Sequence, residues 1–209
     1  MQIAIIQYNA GNVHSVANAL RRLGAMPRLT DDPDEIRQAD RVVFPGVGEA
    51  SAAMRHLREK GLDVLIRSLR QPVLGICLGM QLLGSRSEEQ DTPCLGILDA
   101  AVRRLRPQRP QDGTGEVVKV PHVGWNSAVF PAHPLFDGIP SPSYFYFVHG
   151  YAMETVAGAT LAVTTHGQAF SSAVQQGNFF GVQFHPEKSA EHGARLLRNF
   201  LSDNILSAL

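Results

Sequence analysis

Cys77 lies between two glycines in Gly75-Ile76-Cys77-Leu78-Gly79, after the apolar run Pro72-Val73-Leu74 and before Met80-Gln81-Leu82-Leu83, whose apolar residues repeat like a helix. That order predicts a strand, a sharp turn and a helix with a thiol at the apex. Side chains two positions to either side of the apex would collide, which gives Gly75 and Gly79 a steric reason. A thiol so placed stands at a helix N-terminus, where unpaired N–H groups and the dipole favour the thiolate that attacks a carbonyl. A buried, inert cysteine in a glycine-rich turn has the same short signature, so nucleophilic chemistry requires a base elsewhere.

A base with its orienting group stands in Gln183-Phe184-His185-Pro186-Glu187-Lys188-Ser189. In extended chain, residues two apart share a face, and Pro186 biases its surroundings away from helix, so the Glu187 carboxylate reaches the His185 imidazole. Taken alone, His185 is equally a strand-end histidine satisfied by solvent. A nucleophile, a histidine and a carboxylate in separate strand-end loops meet the requirement of a triad, which is spatial and not sequential. A third segment, Pro45-Gly46-Val47-Gly48, is either a plain tight turn or a loop whose glycines let backbone approach a ligand.

The elements that must position these groups follow from periodicity and turn residues. Gln2 to Tyr8 predicts a buried first strand, Asn9 to Asn12 a turn, and Val16, Ala19, Leu20 and Leu23 a helix stopped at Gly24. Met26 to Thr30, Arg41 to Phe44 and the strand opened by Pro72 alternate with helices at Pro33 to Gln38, Glu49 to Lys60 and Leu62 to Arg70. Such alternation implies a parallel sheet with helices on both faces and ligands at the carboxyl ends of the strands. The second half reads mainly as β. One or two short strands are expected within Leu95 to Leu105, and further strands at Val117 to Val120, Asn126 to Phe130, Tyr144 to Met153, Thr160 to Thr165, Ser171 to Gln175 and Phe179 to Phe184. Gln176-Gly177-Asn178 predicts a hairpin, Arg106 to Glu116 a loop, and Ala190 to Leu206 a closing helix with Ser189 as N-cap. The expected fold class is therefore α/β: a mixed, mainly parallel central sheet flanked by helices, with a β-rich second half.

Composition removes other classes. A chain of 209 residues that is 44% hydrophobic and 18% charged can bury the core of one domain spanning residues 1–209. Nineteen basic residues balance nineteen acidic ones, so no electrostatic footprint for nucleic acid or an anionic membrane is expected. The opening apolar run Ile3-Ala4-Ile5-Ile6 lacks a basic lead-in and is far too short to span a bilayer, which predicts a soluble, untargeted, cytoplasmic protein. The two cysteines, Cys77 and Cys94, lack C-x-x-C spacing, and the histidines form no zinc pattern. No disulfide, metal or cofactor is expected.

Pro45-Gly46-Val47-Gly48, Gly75-Ile76-Cys77-Leu78-Gly79-Met80-Gln81 and His185-Pro186-Glu187, in that order and spacing, resemble the class I glutamine amidotransferase family over nearly the whole chain. Three further segments resemble one branch of it, the glutaminase subunits of imidazole glycerol phosphate synthase in histidine biosynthesis. These are Gly11-Asn12-Val13-His14-Ser15-Val16, Pro121-His122-Val123-Gly124-Trp125-Asn126 and Tyr146-Phe147-Val148-His149-Gly150-Tyr151. The resemblance implies a flavodoxin-like architecture, with Cys77 as nucleophile, His185 as general base and acid, and Glu187 orienting it. It implies oxyanion donors at Leu78 N–H and in the Gly46–Val47 backbone, and contacts to the amino-acid part of L-glutamine from Gln81, Glu89 and the backbone of Gly150 and Tyr151. Without it, Ser87-Glu88-Glu89-Gln90 reads as a solvated polar turn. The chain departs from the family pattern at Gly150, where a hydroxyl residue is common, and at Gly84 and Ser85, where many members carry an aromatic and an acidic residue.

The implied partner is a cyclase subunit of (β/α)8 barrel form that consumes the ammonia, since the chain carries no P-loop and no dinucleotide fingerprint of its own. Asn12, Trp125, Asn126, Tyr146 and Lys188 are the expected interface residues, because amide and aromatic side chains fall in the branch-specific segments and aromatics dominate hot spots. A sister amidotransferase subunit serving another synthase shares the catalytic motifs, and a regulatory module could keep the fold without the chemistry.

Overall fold

The computed structural model describes residues 1–8, 13–107 and 117–209. The expected turn at 9–12, with the candidate Asn12, and residues 108–116 of the expected loop lie outside the described residues.

The strands in chain order are β1 (Ile3–Ile6), β2 (Pro27–Thr30), β3 (Arg41–Gly46), β4 (Val73–Cys77), β5 (Arg86–Ser87), β6 (Thr92–Pro93), β7 (Ala101–Arg104), β8 (His122–Ala128), β9 (Ser143–His149), β10 (Tyr151–Met153), β11 (Thr160–His166), β12 (Gln168–Gln176) and β13 (Phe179–Val182). The helices are α1 (Val13–Arg22), α2 (Pro33–Gln38), α3 (Ala50–Glu59), α4 (Leu62–Ser68), α5 (Leu78–Leu82) and α6 (Ala190–Leu201). Seven strands form the central sheet in the order β11-β12-β13-β4-β3-β1-β2. From β2 to β13 neighbouring strands run parallel, while β12 and β11 are added antiparallel.

Both faces of this sheet are covered, which is why β1, β3 and β4 read as apolar runs rather than alternating ones. Ile3, Ile5, Val43, Leu74 and Ile76 pack with Val16 and Leu20 of α1 and with Leu196, Leu197 and Phe200 of α6. Ala4, Ile6, Val42, Phe44 and Val73 face the other way, against Ile36 of α2, Met54 and Leu57 of α3, and Leu65 and Ile66 of α4. Each large apolar side chain so buried contributes ~1.5–3 kcal/mol.

Local chemistry sets the ends of the elements. Asp32 caps α2 by accepting from Asp34 and Glu35 N–H, and Gly61 separates α3 from α4 in the left-handed region. The expected closing helix stops at Leu201 and continues only as 3-10 turns over Asp203–Ala208. Buried Arg41 donates to the carbonyls of Phe200 and Ser202, satisfying the C-terminal acceptors there. Ser189 does not cap α6 with its side chain.

Leu95 to Leu105 contributes one short strand, β7, within the one or two expected there. Two expected strands differ. Val117 to Val120 holds a lone β-bridge at Val118 rather than a strand. Tyr144 to Met153 divides at Gly150 between two sheets: β9 pairs with β8 as an antiparallel ribbon, whereas β10 joins β7, β5 and β6. Periodicity sees one continuous run because a change of pairing partner leaves no mark on side-chain alternation.

Candidate functional site

Four adjacent parallel strands, β1, β3, β4 and β13, end on one side of the sheet. Tyr8, Gly46, Cys77 and His185 stand at or just beyond those ends, in the crevice where an α/β sheet binds its ligands. Cys77 occupies the elbow with φ 54° and ψ −111°, a sterically strained conformation for a non-glycine residue. A side chain at Gly79 would overlap the Phe44 carbonyl, and one at Gly75 would come within 2.9 Å of the Gly79 carbonyl group. The turn closes only with glycine at both positions. Because α5 has five residues, few peptide dipoles add along it. A thiolate at Cys77 would therefore be held mainly by individual polar groups.

His185 supplies one of them. Its Nδ1 lies 2.8 Å from Glu187 Oε1, and both side chains are buried, at 1% and 0% exposure. Burial by itself lowers the pKa of His185, but hydrogen bonds to Cys77 and Glu187 and the charges of both outweigh it, raising the imidazole to about 9. The imidazole is therefore held protonated beside the Cys77 sulphur. The His185 backbone is clamped by β9: its N–H donates to Tyr146 O at 2.9 Å, and Ser189 Oγ donates to His185 O at 2.7 Å while accepting from Tyr146 N–H at 3.0 Å. Gln183, two residues before His185 and buried, directs Nε2 to Cys77 Sγ at 3.7 Å. Sequence reasoning missed Gln183, although its shared face with His185 was available from strand periodicity.

The oxyanion candidates surround the same sulphur. Leu78 is the first residue of α5, so its N–H has no intrahelical acceptor. Gly46 pairs with Cys77 in the β3–β4 ladder, which brings the 46–47 peptide alongside. A side chain at Gly46 would overlap the Tyr8 hydroxyl. That hydroxyl is buried and makes no hydrogen bond among the described residues, and burial followed by the Cys77 charge raises its pKa. It lines a cavity of about 210 Å³ with Val47, Gly48, Glu49 and His56. Tyr8 was also missed, since one tyrosine at a strand end carries no motif.

The candidate glutamine contacts are already engaged with the protein. Gln81 Nε2 donates to Tyr151 O at 2.8 Å and to Gln183 Oε1 at 2.9 Å, leaving its carbonyl oxygen as the remaining function. The Gly150 carbonyl accepts from Leu105 N–H. Glu89 Oε2 accepts from Ala50 N–H at 2.7 Å and so closes the N-terminus of α3, for which Glu49 gives no side-chain cap. Burial raises the Glu89 pKa, opposed by the Ala50 N–H and helped by neighbouring Glu49.

Of the expected interface residues, Trp125 and Tyr146 pair across the β8–β9 ribbon in an edge-to-face contact at 6.1 Å, with Lys188 Nζ 5.7 Å from the Tyr146 ring centre. Val123, Trp125, Tyr144 and Val148 are exposed on that face. Asn126 turns the other way: its amide donates to Thr165 O at 3.0 Å and its Oδ1 accepts from Ser127 N–H. The strand period of two puts it on the face of the ribbon opposite Trp125. Among the described residues no helix is long and apolar enough to cross a membrane, and no group of three or more His, Cys, Asp and Glu could hold a metal ion.

Residues 4–204 match the family model described as glutamine amidotransferase class-I. The chain is 48% identical over 201 residues to the imidazole glycerol phosphate synthase subunit HisH of Bacteroides fragilis, covering 96% of this chain and 99% of the relative. It is 46% identical over 206 residues to the subunit of that name from Vibrio cholerae, covering 95% and 97%. Among solved structures, a glutamine amidotransferase from Thermotoga maritima superposes with a TM-score of 0.64 at 19% identity, covering 96% of this chain and 82% of that one. PurLQS from the same organism gives 0.68 at 17% identity, covering 99% and 98%. These two structural likenesses concern the fold alone. With the family model spanning nearly all of its length, the chain belongs to the class I glutamine amidotransferases.

Proposed function

We propose that this protein is the glutaminase subunit of an imidazole glycerol phosphate synthase, releasing ammonia from L-glutamine for a cyclase subunit. The observation that carries the reading is the Cys77–His185–Glu187 constellation at the strand ends, in a chain 48% identical to subunits of that synthase. Cys77 attacks the side-chain amide carbon of glutamine. The developing oxyanion is received by Leu78 N–H and by the Gly46–Val47 backbone, each such donor being worth ~3 kcal/mol. The His185 imidazolium gives its proton to the departing ammonia, leaving a glutamyl thioester. Neutral His185 then takes a proton from water as it attacks, glutamate leaves, and the thiolate is restored. Glu187 keeps the imidazole oriented through both steps. Gln81 Oε1 is suited to the substrate ammonium, because its amide protons are already committed.

The ammonia passes to a partner of (β/α)8 barrel form, which makes imidazole glycerol phosphate and an aminoimidazole carboxamide ribotide. The face of Trp125, Tyr146 and Lys188 would bind it, and Asn12 is a further proposed partner contact. A glutamine-dependent cyclisation assay with purified barrel subunit tests the reading: turnover with glutamine, lost in Cys77→Ala but kept with ammonium salts, is expected. Turnover with ammonium but none with glutamine for the wild-type pair overturns it. The Cys77→Ala chain should still bind its partner, as measured by co-elution.

A further inference from the structure

A continuous line of buried and half-buried hydrogen bonds runs from the β8–β9 ribbon to the nucleophile, and nothing in the mechanism above uses most of it. Asn126 Nδ2 lies 3.2 Å from His122 Nε2, His122 Nδ1 lies 3.0 Å from His149 Nε2, and His149 Nδ1 lies 2.8 Å from Tyr151 O. Tyr151 O also accepts from Gln81, whose amide continues to Gln183 and so to Cys77 Sγ.

The polarity of every link is determined. Asn126 cannot be flipped, because its Oδ1 accepts from a backbone N–H and its Nδ2 donates to a backbone carbonyl. Its Nδ2 therefore donates to His122 Nε2, which must be unprotonated. His122 then carries its proton on Nδ1 and donates to His149 Nε2, and His149 donates from Nδ1 to the Tyr151 carbonyl. Burial, followed for His122 by the neighbouring histidines, holds both imidazoles neutral, at about 3 for His122 and about 4 for His149. At the other end, the Tyr151 carbonyl forces the Gln81 NH2 towards itself. That NH2 needs an acceptor in Gln183 Oε1, and Gln183 is left with its NH2 against the sulphur. A flip of either glutamine would set like against like.

We propose that Gln183 holds the Cys77 thiolate through its amide N–H, and that His122 and His149 are positioning residues fixing the Tyr151 carbonyl from which that polarity follows. The inference deepens the glutaminase reading and rests on it for its catalytic meaning. The sulphur can be probed without glutamine.

The test is the pH dependence of Cys77 alkylation by iodoacetamide, followed on the Cys77 peptide by mass spectrometry so that Cys94 does not contribute. His185 and Tyr8 also face the sulphur and are kept in every variant. Gln183→Met preserves shape and removes the donor. A hydrogen bond to a charged group is worth enough that alkylation at neutral pH should fall about 10-fold or more, with its midpoint moved to higher pH. His149→Phe keeps a ring among Phe147 and Phe170 and should move the midpoint the same way, while His149→Asn, which retains a donor near Nδ1, should restore it. An unmoved midpoint in folded Gln183→Met overturns the role of Gln183. Equal midpoints for wild type and His149→Phe, or equal shifts for Phe and Asn, overturn the positioning role. Shifted midpoints in a protein with no glutamine-dependent activity beside the barrel subunit would remove the glutaminase reading and leave the thiolate contact standing.

Discussion

At the scale of single residues, the balance at His185 decides how the site works. The desolvation that disfavours its charge is exceeded by two partners within hydrogen-bond reach, so the imidazole stays protonated until about pH 9. In the proposed mechanism it begins the cycle as the acid that ammonia departure needs. We predict that kcat/KM for glutamine, measured in the presence of partner, falls about tenfold per unit above pH 9, as expected for loss of one essential proton. A flat profile to pH 10.5 would contradict the imidazolium assignment. The sign for stability is the same: a raised folded-state pKa contributes stability below the unfolded value of about 6.5, and this is lost as pH rises through about 9. Glu187→Gln keeps a hydrogen-bond acceptor but removes the charge that favours imidazolium. It should lower kcat by about 10² or more, moving the alkaline limb to lower pH in the same assay.

At the scale of elements, the elbow and the β8–β9 ribbon carry the constraints. α5 lies so close to β3 that a methyl group on Gly79 would meet the Phe44 carbonyl. Gly79→Ala should destabilise the fold by ~1–3 kcal/mol, the usual cost of overpacking, seen as a lower urea midpoint with unchanged slope. The ribbon is acid-sensitive for a separate reason. His122 and His149 are held neutral in the folded chain and charge freely once unfolded, so their contribution is complete above about pH 6.5 and erodes as pH falls towards 4. The urea midpoint should therefore drop between pH 7.5 and 5, and drop less in His149→Asn. An equal drop in both proteins would place the acid sensitivity elsewhere.

At the scale of the whole molecule, the site and the exposed aromatic face are two sides of one ribbon. β9 clamps His185 through Tyr146 and Ser189, while the Tyr146 ring faces outward beside Trp125 and Lys188. Trp125 is 52% exposed, large and rigid. Trp125→Ala should weaken association with the proposed cyclase partner about 30-fold, the ~2 kcal/mol of a hot-spot aromatic, without changing the Tm of the isolated chain.

By itself the sequence determined what local rules control. The elbow at Cys77, the His185–Glu187 spacing, the parallel alternation of the first half and the hairpin at Gly177 each follow from a few neighbouring residues whose steric or periodic demands have one solution. Only the tertiary structure decided the groups that meet across long separations. Gln81, Tyr151 and Gln183 lie as much as 102 positions apart and join because α5, β10 and the end of β13 converge. Glu89 closes the N-terminus of a helix 39 residues earlier. Asn126 and Trp125, neighbours in one motif, lie on opposite faces of the ribbon, because strand alternation sends neighbours to opposite faces. Hydrogen-bond partners of a buried polar group are chosen by the packing of distant elements, and no local pattern records that choice.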